Sequence, residues 1–462
     1  MRHKKVLSVL LALAMVFSAI TPLSAYQFTA SIEEDTLILT EAEPRPFCSI
    51  TFDAVATEFG IEFATNYVKS IGLLNRFYNS LPQNRLGQPI YPENFGGIYI
   101  NCEGNLVILQ VWGYCESDLD IGAMVRYRQS TEIMQGIADA GVLLRQVEFP
   151  YNTLRNTFDF LDWFIPNNQE CVVTSNADGI SLDVINNQVI VLLASYTEDN
   201  INLFRNTVLD TPYIVFKESV VEFERNFVSY ELPETYEDSF DYVDYATQQL
   251  ITPSSTIVVN PGDTIRLRCQ ILNIVVNAGS IGYRATYLNQ LVGFTTAAHI
   301  SFGTHNRELR INDRVYNDRN QHIGTIRRSN LSTVDMAFFS VEPNVVAGNS
   351  VAFGRLLNNA PAWHTVGATV FIDSTRHGRG RMGVVRAPFS GELGGIWTSG
   401  MRARYNAFNG DSGAVIYNWE HPQYNGAVGI HIGGWGAGAW ADGGNSLFST
   451  VTDHQRVNVR RH

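Results

Sequence analysis

Three short stretches in the second half of the chain contain side chains that could together carry out nucleophilic chemistry. They are GFTTAAHI with His299, NLSTVDMAFFSV with Asp335 and FNGDSGAV with Ser412. A serine hydroxyl is a poor nucleophile at neutral pH, so it needs a base to accept its proton. The base in turn needs a carboxylate that fixes its tautomer and stabilises its charged form. These residue types therefore fit a hydrolytic triad with Ser412 as nucleophile, His299 as base and Asp335 as orienting acid.

Each stretch also has a purely structural explanation. His299 fits a packed histidine, Asp335 fits a turn cap before a strand, and the glycines around Ser412 fit a tight turn. The conjunction favours catalysis, because the nucleophile, the base and the acid work only together. Gly410 is a further indication, since a tightly curled loop lets the N–H groups of Gly410 and Ser412 point at one developing oxyanion.

The motifs GFTTAAHI, VDMAF and NGDSGAV, in this order, resemble those of the chymotrypsin-like serine endopeptidases. Their separations, about 36 and about 77 residues, resemble those of compact bacterial members such as the streptogrisins and alpha-lytic protease. NAGSIGYRA resembles the strand before the histidine, and PGDTI resembles the mature N-terminus. The resemblance covers about residues 255–455. It implies two six-stranded antiparallel barrels with the active site between them.

The resemblance also assigns residues. It implies that Ser412 is the nucleophile, that His299 is the general base and then acid, and that Asp335 orients it. The amides of Gly410 and Ser412 would form the oxyanion hole. This chain departs from the family pattern at four positions: Gly279 and Ile300 replace two bridged cysteines, Ala414 replaces a second glycine, and Ile432 replaces a serine that supports the aspartate.

The stretch GIHIGG resembles the GIHxGG of glutamyl endopeptidases, in which the histidine meets the substrate carboxylate. The resemblance implies that His431 lines the primary specificity pocket and favours cleavage after Glu. The alternative is a satisfied histidine on a buried strand. Ile432, Gly433 and Gly434 would form the edge with which an extended substrate backbone pairs, because glycines leave room for close approach.

The elements that must position these residues divide the chain into two regions. After about residue 255, short strands separated by Gly, Asn and Pro predict an all-β catalytic domain, 256–462, with a double antiparallel barrel. Before it, segments of helical periodicity predict helices in 52–77, 130–144 and 152–165. Two hairpins, opened by Gly97 and Gly179, suggest a weakly repeated helix-plus-hairpin unit.

The front region, 26–255, therefore reads as an α+β region, and the resemblance to alpha-lytic-type proteases implies that it is a pro-domain. Barrels that form by non-local pairing fold slowly. We expect this region to act as an intramolecular chaperone and to block the cleft until it is cut.

The N-terminus predicts export. Basic residues 2–5 precede an apolar run and small residues near Ala25, a pattern typical of a signal peptide over 1–25. The run is short for a membrane span, so a secreted bacterial protein without stable membrane association is expected. The chain has five cysteines without a C-x-x-C pair, so no disulfide scaffold and no zinc site are indicated. No cofactor is expected.

The composition of the chain limits the classes of molecule that it is expected to bind. The net charge of −12 argues against a nucleic-acid-binding face, which needs a basic stripe. A polypeptide is the expected substrate. The motif order and the missing G-x-S-x-G exclude an α/β-hydrolase esterase. A catalytically inactive, protease-like binding module remains the alternative, although the presence of all three catalytic residue types favours an enzyme.

Overall fold

The computed structural model describes residues 49–83, 89–112, 142–219, 223–224, 228–229, 256–268, 275–301, 312–331, 334–352, 355–357, 365–393, 396–418, 426–435, 443–456 and 458–461. The predicted signal peptide and most of the acidic connector before residue 256 lie outside these ranges. All described residues belong to one unit, Pro46–His462.

Helices and strands alternate in the front region. Its helices are α1 (Ser49–Phe59), α2 (Ile61–Ser80), α3 (Tyr151–Phe164), α4 (Val172–Ser175) and α5 (Glu198–Thr207), and a 3-10 turn covers Pro166–Asn168. Its strands are β1 (Phe95–Ile100), β2 (Leu106–Val111), β3 (Leu143–Val147), β4 (Ala177–Asp183), β5 (Gln188–Leu193), β6 (Ile214–Glu218), β7 (Phe223–Glu224) and β8 (Val228–Ser229).

The predicted helices of the front region are only partly as expected. The periodic run over 52–77 is two helices, because Gly60 has a φ of +93° and interrupts the helix between α1 and α2. The helix predicted over 152–165 is α3. The helix predicted over 130–144 lies mostly outside the described residues, and its final Leu143 and Leu144 begin a strand instead. Helix α5 was missed, although Thr197 accepts a hydrogen bond from Asn200 as its N-cap.

The two hairpins of the front region share one topology. Strands β1 and β2 pair antiparallel and β3 adds parallel to β2. Strands β4 and β5 pair antiparallel and β6 adds parallel to β5. The repeated unit suggested by the sequence therefore reappears as a repeated arrangement of strands.

In its described part, the second half of the chain is built mainly of strands. They are β9 (Ile257–Val259), β10 (Thr264–Arg268), β11 (Val275–Ser280), β12 (Arg284–Tyr287), β13 (Leu291–Thr296), β14 (Arg314–Asn317), β15 (His322–Asn330), β16 (Met336–Val341), β17 (Val345–Ala347), β18 (Ser350–Val351), β19 (Arg355–Leu356), β20 (Thr369–Ser374), β21 (Gly378–Glu392), β22 (Trp397–Arg404), β23 (Val415–Tyr417), β24 (Ala427–Trp435), β25 (Ser446–Thr450) and β26 (Val459–Arg461). Helix α6 (Val451–Arg456) and a 3-10 turn, His299–Ser301, complete the set.

These strands close into two antiparallel barrels. In the second, the pairing order β20–β23–β24–β25–β22–β21 returns to β20 through a β20–β21 pair, so six strands form a ring. In the first, the order runs β12–β13–β16–β15–β14–β10–β11, and only residues 281–283 separate β11 from β12 along the chain. The ring is closed by this bent β11–β12 segment. The predicted fold, a double barrel preceded by an α+β region, is confirmed.

The front region is joined to the second barrel by a shared sheet. Strand β4 pairs antiparallel with the far end of β21, where Ile180 lies opposite Ser390. The apolar run of β5 faces two cores. Val189, Val191 and Leu193 pack into the front-region core, whereas Ile190 and Leu192 belong to the core of the barrels. Both faces of this strand are buried, which explains why its sequence lacks polar alternation.

Candidate active site

Residues from both barrels form a hydrogen-bonded chain at the predicted site. Nδ1 of His299 lies 2.6 Å from Oδ2 of Asp335, and Nε2 lies 2.7 Å from Oγ of Ser412. A carboxylate only accepts, so Nδ1 carries the proton and Nε2 accepts from the serine hydroxyl when the ring is neutral. The backbone N–H of His299 donates to the other oxygen of Asp335 at 2.9 Å. The three predicted catalytic residues are therefore brought together.

Strand pairing explains this convergence. His299 follows β13 and Asp335 precedes β16, and these two strands pair with Thr296 opposite Ala337. The end of one strand and the start of its neighbour therefore meet at one edge of the first barrel. Ser412 comes from the second barrel, in the loop before β23. All three residues are at most 2% exposed, a low-dielectric setting that strengthens their hydrogen bonds.

The loop around Ser412 has a shape that requires glycine. Gly410 and Gly413 have φ values of +103° and +87°. A Cβ on Gly413 would stand 2.3 Å from Oγ1 of Thr296 and 2.4 Å from the carbonyl oxygen of Ser280. Among the described residues, no acceptor takes the N–H groups of Gly410 and Ser412. Two free donors on one curled loop can stabilise an oxyanion.

A buried ion pair braces the same loop. Asp411 is fully buried, and its Oδ2 accepts from Nη2 of Arg381 and from the backbone N–H of Phe408, at 2.7 and 2.8 Å. Arg381 also donates to the carbonyl oxygen of Asn406 at 2.5 Å and lies over the ring of Phe408. The guanidinium of Arg381 thus links Asn406, at the start of the loop, to Asp411, the residue beside Ser412.

The end of strand β11, in the first barrel, also holds the loop that carries Ser412. The N–H of Ser280 donates to the carbonyl oxygen of Ser412 at 2.8 Å, and its hydroxyl donates to that of Gly410 at 2.9 Å. A Cβ on Gly279 would stand 3.0 Å from the side chain of Ile300. The two positions that replace the family's bridged cysteines are therefore neighbours, and Ile300 occupies the space beside Gly279.

His431 is fully buried on β24, next to the site. Its Nδ1 lies 3.0 Å from the hydroxyl of Tyr405, and its ring also bonds to the backbone of Leu447. Burial lowers the pKa of His431 to about 3, so the ring is neutral at neutral pH. Because a ring N–H donates to a carbonyl, Nδ1 accepts from Tyr405.

The predicted substrate-pairing residues occupy the remainder of β24. Ile432 is fully buried in the core of the barrels, so its side chain supplies apolar packing. Gly433 and Gly434 pair with Leu447 and Ser446 of β25. Gly434 also lies opposite Glu224 of β7, a strand of the front region.

Sequence reasoning missed three residues of this site. Arg381 braces the loop, Tyr405 contacts His431, and Ser280 holds the backbone of Ser412. Only Arg381 had a signal in the sequence: Asp411 lies between Gly410 and Ser412, and a buried carboxylate there needs a cation.

Metal and membrane features complete the description. Within the described ranges, no group of three or more His, Cys, Asp and Glu residues is arranged to hold a metal ion. No helix among the residues that the structure describes is long and apolar enough to cross a membrane. Cys102 and Cys171 are exposed and unpaired, and the other three cysteines lie outside the described residues.

Two family models match the front region. Residues 61–123 match the model described as "Pro-like N-terminal domain", and residues 152–219 match "Pro-like C-terminal domain". The matches cover α2–β2 and α3–β6, the two units with the repeated strand arrangement. No curated protein sequence matches the chain.

Solved structures resemble part of the chain. Protease A of Thermobifida fusca is 17% identical, with 44% of this chain and 97% of that chain covered and a TM-score of 0.34. The chymotrypsin of Cellulomonas bogoriensis is 22% identical, the match covers 45% of this chain and 99% of that chain, and the TM-score is 0.33. A third structure is described as a glutamic acid specific serine protease that uses a histidine triad in substrate binding. It is 17% identical, the match covers 44% of this chain and 100% of that chain, and the TM-score is 0.35.

The Pro-like matches and the two closed barrels confirm the resemblance that the sequence motifs predict. The front region therefore matches the two Pro-like domain models, and the region after residue 255 has the double antiparallel barrel that the sequence resemblance implies.

Proposed function

We propose that this protein is a secreted serine endopeptidase made as a pro-enzyme, with Ser412, His299 and Asp335 as its catalytic triad. The observation that carries the proposal is the continuous hydrogen-bonded chain from Asp335 through His299 to Ser412, at 2.6 and 2.7 Å. Packing alone does not require a carboxylate, an imidazole and a hydroxyl to align across two barrels. General-base activation of a serine requires this arrangement.

The mechanism follows from these contacts. Nε2 of His299 takes the proton of Ser412 as Oγ attacks the carbonyl carbon of the peptide bond. Asp335 stabilises the imidazolium, and the amides of Gly410 and Ser412 stabilise the oxyanion, each donor contributing about 2.7–4 kcal/mol. His299 then gives its proton to the leaving amine, an acyl ester forms on Ser412, and water hydrolyses the ester.

The pro-region has the contacts expected of an intramolecular chaperone and inhibitor. Strand β4 extends the sheet of the second barrel, and Nε1 of Trp397 donates to Oδ1 of Asp162 on α3 at 2.9 Å. Strand β7 pairs with β24 at Gly434, the edge on which a substrate backbone would lie. These contacts support a role in which the front region stabilises the folded barrel and competes with substrate for the edge of β24.

A preference for Glu before the cleaved bond is the proposed specificity, with His431 as the recognition residue. Its buried ring bonds to Tyr405 and to the backbone of Leu447, so a substrate carboxylate would have to replace one of these partners. Burial lowers the pKa of His431 to about 3, so the ring is neutral before substrate binds. A substrate carboxylate would raise that pKa, because the opposite charge favours imidazolium. Binding a Glu side chain would then take up a proton, whereas binding a Gln side chain would not.

This linkage makes the preference testable. The ratio of kcat/KM for a Glu peptide to that for its Gln counterpart should rise as the pH falls from about 8 to about 6, by up to about tenfold per pH unit. The His431→Gln variant should lose this dependence. A ratio independent of pH in the native enzyme, or one that favours Gln throughout, would contradict the assignment.

The competing function is a binding module with the fold of a protease but no turnover. Casein hydrolysis by the matured secreted protein separates the two. We expect turnover, with a loss of about 10⁴-fold or more in kcat for Ser412→Ala, because the nucleophile is removed. Peptide binding without hydrolysis in the native protein, at the same level as in the variant, would favour the binding module.

A further inference from the structure

A tight turn, residues 375–377, joins β20 to β21 beside the loop that carries Ser412. Strand β23 lies between β20 and β24 in the second barrel. Its first residue, Val415, is paired with Asp373 of β20 on one side and with Ile430 of β24 on the other. The turn after β20 and the end of β24 therefore lie on opposite sides of the serine loop.

This arrangement gives the two sides of the loop different roles toward a substrate. In the proposed function, the residues before the cleaved bond pair with β24 at Gly433 and Gly434. An extended chain that crosses Ser412 away from β24 continues toward the turn 375–377. The turn is therefore placed to contact the residues that follow the cleaved bond.

Hydrogen bonds hold this turn to both barrels. The N–H of Thr375 donates to the carbonyl oxygen of Gly262 at 2.8 Å, and its hydroxyl accepts from the N–H of Thr264 at 3.1 Å. Nε2 of His377 donates to the carbonyl oxygen of Asn409 at 2.8 Å, because a carbonyl only accepts. The residue between these two anchors, Arg376, is thus held beside the cleft.

The side chain of Arg376 packs against Gly410. A Cβ on Gly410 would stand 2.7 Å from Cδ, 3.1 Å from Nε and 3.3 Å from Nη1 of Arg376. The N–H of Gly410 is a proposed oxyanion donor, so the reacting carbonyl would lie at this residue. Consecutive Cα atoms are about 3.8 Å apart, which brings the side chains of the first two residues after the bond within reach of the guanidinium.

The charge of Arg376 is available for a ligand. The hairpin sequence 376–381, RHGRGR, contains three arginines and no acidic residue. Arg379 pairs with Asp263 at 2.6 Å, and Arg381 pairs with Asp411 at 2.7 Å. Arg376 is exposed, and none of the ion pairs among the described residues includes it. A guanidinium recognises a carboxylate best, since its planar donors match the two oxygens.

An aromatic ring lies next to this guanidinium-bearing turn. The ring of Phe408 is 5.2 Å from that of His377, and Phe408 is 47% exposed. It also lies 5.3 Å from the guanidinium of Arg381, which holds it in place. The methylene groups of an acidic side chain that reaches Arg376 would therefore have an apolar surface to contact.

We propose that Arg376 forms a subsite for an acidic side chain in the first two residues after the cleaved bond, so that substrates with Asp or Glu there are cleaved preferentially. The inference rests on the proposed protease function. It is separate from the role proposed for His431, because His431 would contact the residue before the bond, on the other side of Ser412.

The test compares amidated peptides that differ only after the cleaved bond, which is confirmed by mass spectrometry of the products. In one pair the first residue after the bond is Asp or Asn, and in the other pair the second residue is. The matured protein should cleave the Asp peptide with a kcat/KM about fivefold higher in at least one pair, as expected for a surface ion pair. Raising NaCl from about 20 to about 500 mM should lower this ratio, because salt screens an exposed pair.

Amidation removes the terminal carboxylate, which could bind the same guanidinium. A further peptide therefore has Asn at both positions and a free C-terminus after the second. A preference for this peptide alone would overturn the assignment to an acidic side chain.

The Arg376→Gln variant should bring the Asp-to-Asn ratio to about one, because the cation is removed. The matched control is Arg460→Gln, which loses the same charge. Arg460 is exposed and lies opposite Thr286, which is level with Val292 at the end of β13 away from His299. The control should keep the native ratio.

The outcomes separate the subsite from the proposed function. Hydrolysis with a ratio of one in both pairs, or a ratio that Arg376→Gln leaves unchanged, overturns the subsite alone. No hydrolysis of any peptide, together with no phenylmethylsulfonyl fluoride adduct on Ser412, overturns both. If Arg376→Gln does not fold, as judged by circular dichroism, the ratio of the native enzyme and its salt dependence decide.

Discussion

Asp411 helps to hold the loop that carries Ser412, the proposed nucleophile. Its carboxylate lies next to Ser412 in sequence, is fully buried and receives both a guanidinium and a backbone N–H. A buried charge without a partner costs several kcal/mol, so the loop is held in the shape that keeps Arg381 in place. That shape leaves the amides of Gly410 and Ser412 free to act as donors.

The Arg381→Met variant tests this role. It leaves the buried carboxylate without its cation, which should destabilise the native state by about 3–5 kcal/mol. If the protein still folds, kcat should fall more than KM rises, because the oxyanion donors are used mainly in the transition state.

The measurements are kcat and KM with a peptide substrate and Tm by calorimetry. Arg319→Met is the matched control, since Arg319 is exposed and far from the serine loop in sequence. An unchanged kcat in Arg381→Met would show that the pair does not position the donors.

At the scale of single elements, β5 shows how the pro-region recognises the barrels. Its odd-numbered residues Val189, Val191 and Leu193 pack inward, and Ile190 and Leu192 pack against the barrel core. The side chains of a strand alternate between two faces, so one short strand contributes to both cores. The face of Ile190 would be exposed if the front region were alone.

Because the two faces of β5 pack into different cores, a charge on one face should have a different effect from a charge on the other. The barrel region expressed alone, from residue 256, should be inactive, and adding the front region in trans should restore activity. A front region with Ile190→Asp should still fold but fail to restore activity, because its docking face carries a charge. Val191→Asp, on the other face, should prevent the front region from folding.

Activity is measured with casein, and the fold of each front-region variant by circular dichroism. Full activity of the barrel region without any front region would refute the chaperone role. Restoration by Ile190→Asp at the native level would refute the docking face.

The sequence predicts the structure best where a short motif itself contains the residue types that the proposed chemistry requires. The meeting of His299, Asp335 and Ser412 could be predicted from the sequence, because each motif combines a side chain capable of catalysis with a strand or a tight turn. The partner of Asp411 could not be found this way. The chain has 33 Lys and Arg residues, and the sequence alone does not say which one the fold brings to the serine loop.

Long-range pairing explains the rest of what sequence reasoning missed. The acidic, turn-rich stretch after residue 230 reads as a connector, which indicated a boundary near 255. Strands β7 and β8, which pair with β24 and β11, are two residues each, and a pattern of that length is too short to predict a strand. Their place is set by the edges of β24 and β11, not by their own sequence.

At the scale of the whole molecule, the candidate active site lies where the two barrels meet. His299 and Asp335 come from the first barrel and Ser412 from the second, and the pro-region pairs with both. The site is therefore complete only when non-local contacts have formed, which is the slow part of folding for such a topology.

The central claim is that His299 activates Ser412 as a nucleophile, and covalent labelling tests it most directly. The matured protein is treated with phenylmethylsulfonyl fluoride, and the modified residue is located by mass spectrometry. We expect one adduct on Ser412, formed at a rate that falls by about 10³-fold or more in His299→Ala, because the base is lost. No adduct on Ser412, or an equal rate in His299→Ala, would contradict the account.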